Sequence, residues 1–113
     1  MKFRSFILAA VFLSFAVVVN VRAQFDISGT ITGRVVTAND KGIRRACVRV
    51  INLTTLETQT RLTNDFGYFR FNNLPILNIY FVAVNSKSYW FSFPSQVVEF
   101  AELERNLTFI SDN

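Results

Sequence analysis

The chain of 113 residues contains no histidine and a single cysteine. Without histidine there is no Ser-His-Asp or Cys-His catalytic site, nor any of the common His-based zinc sites. One cysteine forms no internal disulfide, so packing alone must hold the fold. Proline occurs twice and glycine four times, too few for a collagen-like or Pro/Gly-rich low-complexity chain. A clustered excess of positive charge is also missing. The formal net charge is +4, but Lys2, Arg4 and Arg22 lie in the first 23 residues. The rest carries nine basic and eight acidic residues, which removes most of the case for nucleic-acid binding, since that needs a clustered basic face. These absences argue against an enzyme before any motif is considered: no catalytic residues, metal ligands or cofactor are expected.

Residues 1–23 form an address. Lys2 and Arg4 supply a positive start, residues 6–19 are an uncharged apolar run, and Val21-Arg22-Ala23 offers a signal-peptidase site. The run is short of the roughly 20 residues that span a bilayer. The pattern predicts a signal peptide over 1–23, cleavage near Ala23 and a mature chain 24–113 beginning at Gln24. It predicts a secreted, periplasmic or extracellular protein that meets the membrane only during export. A lipoprotein route is closed, because the only cysteine is Cys47.

After residue 23 the apolar residues recur with period two, broken by turn residues every eight to twelve positions. Strands are expected at 30–37, 46–52, 58–63, 68–71 and 79–85, with one or two more in 89–93 and 96–101 and a last one around Leu107-Thr108-Phe109. Asn72-Asn73-Leu74-Pro75 is expected to break the fourth, and Ser111-Asp112-Asn113 to fray. About seven short strands without a helix make an all-β sandwich. Val35, Val48, Val50, Phe69, Phe71, Leu74, Tyr80, Val82 and Val84 are its expected core.

The order of these features resembles that of carboxypeptidase regulatory-like domains. Gly33-Arg34-Val35-Val36, a polar turn ending at Gly42, and Ala46-Cys47-Val48-Arg49-Val50 match the way that family opens. A Thr-rich strand then runs into Asp65-Phe66-Gly67, Phe69-Arg70-Phe71 and Leu74-Pro75, followed by Tyr80-Phe81-Val82-Ala83-Val84. The likeness covers about residues 29–90 and implies a seven-stranded, Greek-key, prealbumin-like sandwich with no chemistry of its own, within a superfamily of carbohydrate-binding-like folds and adhesin repeats. In place of the family's Pro-Gly before the Tyr strand stands Ile76-Leu77-Asn78-Ile79, and Ser88 replaces a later Gly. Adhesin repeats of this superfamily use a first-strand Lys for an isopeptide bond. Here that strand carries Arg34, whose guanidinium cannot make the attack.

Several smaller features read most simply as structure. Asp65-Phe66-Gly67 is expected to be a turn in which Asp65 accepts backbone hydrogen bonds and Gly67 is left-handed, rather than part of a calcium site, which needs six to eight oxygens. Cys47 faces away from the core beside Arg49, as a half-buried thiol or one half of an intermolecular disulfide. Asn52-Leu53-Thr54 and Asn106-Leu107-Thr108 match the glycosylation sequon. Period two turns Arg70 and Phe81 outward and sets Trp90 out of phase with Tyr89 and Phe91. Phe81 and Trp90, with Arg70 at the rim, are the expected interaction surface. The expected function is a secreted, non-catalytic structural or protein-interaction module, with a polysaccharide as the alternative partner.

Overall fold

The computed structural model describes residues 27–113, so the signal segment and its cleavage site lie outside the described residues. Seven strands follow in order: β1 (Ser28–Val36), β2 (Cys47–Asn52), β3 (Thr58–Leu62), β4 (Tyr68–Pro75), β5 (Asn78–Asn85), β6 (Ser95–Phe100) and β7 (Glu104–Ile110). They make a three-stranded sheet, β4-β1-β7, and a four-stranded sheet, β3-β2-β5-β6. Every pair is antiparallel except β1 with β7, which run parallel from Thr30↔Glu104 to Val36↔Ile110. This arrangement is a prealbumin-like Greek-key β-sandwich.

Alternation builds the interior. Along β4 and β5 buried and open residues alternate, so Phe69, Phe71, Tyr80, Val82 and Val84 turn inward. All nine expected core residues are buried. They are joined by Ile31, Ile43, Ala46, Val98, Phe100, Leu107 and Phe109. Phe69 meets Phe71 edge to face at 5.9 Å, and Tyr80 meets Phe100 at the same separation; such pairs add about 0.5–1.5 kcal/mol beyond area burial. Gly33 points inward where the Phe69 ring lies, and a Cβ there would collide with that ring and the Leu107 carbonyl.

One polar network is buried with the core. The Tyr80 hydroxyl donates to the Pro75 carbonyl at 2.6 Å, and Asn52 Nδ2 donates to the Tyr80 oxygen at 3.4 Å. Asn52 Oδ1 in turn accepts from the Thr54 and Thr55 amides, which fixes the turn into β3. Asn52 is therefore bonded through both its amide nitrogen and its oxygen and is buried, so in the folded domain this sequon is not at the surface. Asn106 is open at the surface.

Four expectations are corrected. The fourth strand continues through Pro75: Thr30 of β1 faces both Asn72 and Asn73 in a one-residue bulge, Asn73 takes φ 58°, and Leu74 returns to the core. Asparagine tolerates that left-handed conformation, so an Asn-Asn pair bends the strand without ending it. Residues 89–93 form no strand. Tyr89 and Phe91 instead fold onto the core from an irregular loop. The tail does not fray: Ser111 is buried, its amide donates to the Val36 carbonyl at 2.9 Å, and Asp112 and Asn113 bond back to the 86–94 loop. Finally, Gly67 is left-handed at φ 84° as expected, but Asn64 and not Asp65 closes that turn. Its Oδ1 accepts from the Phe66 and Tyr68 amides, both at 3.0 Å.

Candidate functional site

The two sheets turn different chemistry outward. On the three-stranded sheet, β1 presents Thr30, Thr32 and Arg34, and β4 presents Tyr68, Arg70 and Asn72. These side chains satisfy one another. Arg70 Nε donates to Asn72 Oδ1 at 2.9 Å, and Asn106 Nδ2 donates to Thr32 Oγ1 at 3.2 Å. Arg34 pairs with Asp40 at 3.3 Å, donates to the Phe66 carbonyl, and lies 5.3 Å from the centre of the Tyr68 ring. At the strand edge beside this face, an open cleft of about 450 Å³ is lined by Arg61, Asn64, Tyr68 and Arg70, among others.

The outward face of the four-stranded sheet is apolar. Strand pairing sets Ile51, Phe81 and Val97 in one row across β2, β5 and β6. Ile79 and Ala83 flank Phe81 along β5. Val97 is 66% exposed and Ile79 42% exposed. Phe81 and Ile51 are half-buried by these neighbours. Two charges border the strip. Arg49 stands beside Ala83, and Glu99 stands beside Ile79. Cys47 lies farther along β2 on the same face, half-buried, with Leu62 and Asn85 as strand partners.

The three residues expected to form one surface are parted. Arg70 belongs to the polar face of the three-stranded sheet, and Phe81 to the apolar face on the opposite side of the sandwich. Trp90 is 73% exposed in the 86–94 loop, where Asp112 and Asn113 hold its backbone. Phase alone turned each of them outward; it does not say which sheet a strand joins. Ile51, Ile79 and Val97 complete the row around Phe81. Their signal was in the sequence, since β2, β5 and β6 each carry apolar residues on both phases, as a strand covered on both faces does.

Titratable groups add little to the site. Burial raises the Tyr80 phenol above its ordinary value of 10.0, and the nearby Glu57 charge raises it further, against opposing hydrogen bonds. Among the described residues no three of Cys, Asp and Glu come together as metal ligands.

No protein-family model matches the chain, and no curated protein matches its sequence. Its fold is similar to that of a streptococcal ancillary pilin, with a TM-score of 0.62 and 11% identity, over 74% of this chain and 32% of the pilin. It is also similar to the Bacillus anthracis TIE protein, with a TM-score of 0.59 and 21% identity, over 74% of this chain and 16% of that protein. The chain therefore spans a third or less of the length of these neighbours. At such identities the likeness establishes the shared β-sandwich.

Proposed function

We propose that this chain is a secreted, non-catalytic β-sandwich module that works by protein contact in a structural or adhesive setting at the cell surface. The observation that carries this reading is the outward apolar row Ile51-Phe81-Val97 on the four-stranded sheet. An antiparallel sheet packed on a core on one side ordinarily keeps its other face wet and polar, and contiguous exposed apolar surface marks a place where another macromolecule sits. The fold shared with an ancillary pilin suits this setting. The finer assignment to the carboxypeptidase regulatory-like family rests on the motifs, whose order along the chain coincides with β1, β2, the Gly67 turn, β4 and β5.

A polysaccharide partner calls for a flat row of exposed rings with polar neighbours. The exposed rings Phe66, Tyr68, Trp90 and Phe93 are instead divided between the β3–β4 turn, the start of β4 and the β5–β6 loop, and they form no single flat row, which favours protein over sugar. The test is retention of cell-surface proteins and of purified polysaccharides on the immobilised exported protein. Phe81→Ser should abolish protein retention, and Trp90→Ala should leave it intact. Polysaccharide retention lost on Trp90→Ala, with an unchanged melting temperature, would reverse the assignment. The secretion part is checked by mass spectrometry, which should find the exported chain beginning at Gln24.

A further inference from the structure

The charges that border the apolar face are arranged for self-recognition. Arg49 and Glu99 lie on opposite sides of Phe81. Each is one strand away and two residues along, in opposite directions: Arg49 pairs with Ala83, and Glu99 pairs with Ile79. With strands about 4.8 Å apart and about 3.3 Å per residue, each lies about 8 Å from Phe81. Phe81 is thus midway between two opposite charges. Both side chains are exposed. The ion pairs among the described residues, Arg34–Asp40 and Arg105–Glu102, involve neither of them.

We infer that the partner of this face is a second copy of the chain, packed sheet against sheet about a two-fold axis that lies in the interface and passes over Phe81. The inference deepens the protein-contact reading above and rests on it. Such an axis lays Arg49 of each copy on Glu99 of the other, so two unlike pairs close the ends of the interface. It stacks Phe81 on Phe81, brings Ile51 onto Ile79, and brings Val97 onto Ala83. Every apolar residue of the strip meets an apolar residue, and each charge meets its opposite, as an isologous interface requires. The strands of the two copies then cross at about 70°, in the range of orthogonal sheet packing. An axis along the strands would instead mirror β2 onto β6 without shifting the rows. It would set Arg49 against Ser95 and leave both charges unmatched. On the polar face Arg34 is already paired with Asp40 and Arg70 with Asn72. The two-fold axis also carries the two Cys47 thiols to opposite ends of the interface, so the dimer is not a disulfide.

Sedimentation of the purified exported protein from about 1 µM to 1 mM tests this. The expected result is reversible, concentration-dependent dimerisation that is unchanged by reductant. Arg49→Glu and Glu99→Arg, both at exposed positions that the fold does not need, should each weaken it by about tenfold or more. The double variant should restore it, since it reverses both charges and keeps them opposite. A monomer throughout that range, a dimer indifferent to the charge reversals, or a dimer dissolved by reductant would overturn the inference. A monomer whose Phe81→Ser variant still loses a surface partner would overturn the dimer while leaving the protein-contact reading in place.

Discussion

The outward side of the three-stranded sheet and the outward side of the four-stranded sheet lie on one small core, yet they solve the problem of facing outward differently. The first is a lattice of Thr, Asn and Arg side chains that bond one another, from Arg70–Asn72 to Asn106–Thr32. Several of its polar groups are bonded before any partner arrives, so less is gained by covering it. The second offers Ile51, Phe81, Val97 and Ile79, and a partner that removes them from water gains about 25 cal/mol per Å² of apolar area. The difference lies in the β5 and β6 sequences, which put aliphatic residues on both phases where the outward phase of β4 carries Tyr68, Arg70 and Asn72.

Both faces depend on the interior they enclose, and the largest effect is expected there. Phe71 is fully buried behind the polar face. Phe71→Ala should lower stability by about 3–5 kcal/mol in urea unfolding, a large part of a typical total of about 5–15 kcal/mol. A loss below about 1 kcal/mol would remove Phe71 from the core.

Asn52→Ala comes next. It leaves the Tyr80 oxygen short of a donor and frees the turn into β3, a loss of about 1–3 kcal/mol by the same measurement. Tyr80 adds a pH dependence. Its folded pKa lies above the unfolded value of 10.0. The folded state therefore holds the phenolic proton more tightly. The associated stability is complete below pH 10 and falls as the pH rises from there through the folded pKa. Melting temperatures taken from pH 8 upward should decline beyond pH 10 in the native chain and less steeply in Tyr80→Phe.

The direct comparison of the faces is smaller in energy and sharper in kind. Arg70→Ser should change stability by less than about 0.5 kcal/mol and leave association alone. Phe81→Ser should cost the monomer about 1 kcal/mol and abolish association. If Arg70→Ser disturbed association as much, the contrast would fail. A last effect, opposite in sign to the others, concerns Leu77, which is 79% exposed at φ 62° in the connection where the resembled family has glycine. Leu77→Gly should be stabilising by about 0.5–1 kcal/mol, because glycine takes that conformation without strain.

Most of the fold was legible because period two survives in β1, β2, β4 and β5, where every expected core residue is buried. What escaped the sequence has local causes. Nothing in Asn72-Asn73 distinguishes a bulge from a break, because Asn favours both. Tyr89-Trp90-Phe91 alternates like a strand, yet its backbone bonds go to the tail through Asp112 and Asn113, a long-range pairing that no local window contains. The candidate face was half legible. Phase gave Phe81 its direction, but the row Ile51-Phe81-Val97 exists only once β2, β5 and β6 are known to be neighbours. That same adjacency separates Phe81 from Arg70.

The parallel pairing of β1 with β7 has a mechanical consequence. Because the two strands point the same way, the start of β1 and the end of β7 lie at opposite ends of their shared ladder, which runs from Thr30↔Glu104 to Val36↔Ile110. Tension applied between those two points runs along the strands and loads the backbone bonds of the ladder together in shear. An antiparallel hairpin pulled at its open end would give way one bond at a time. A domain strung in a chain at a cell surface through its two ends would therefore meet stretching with its most resistant geometry.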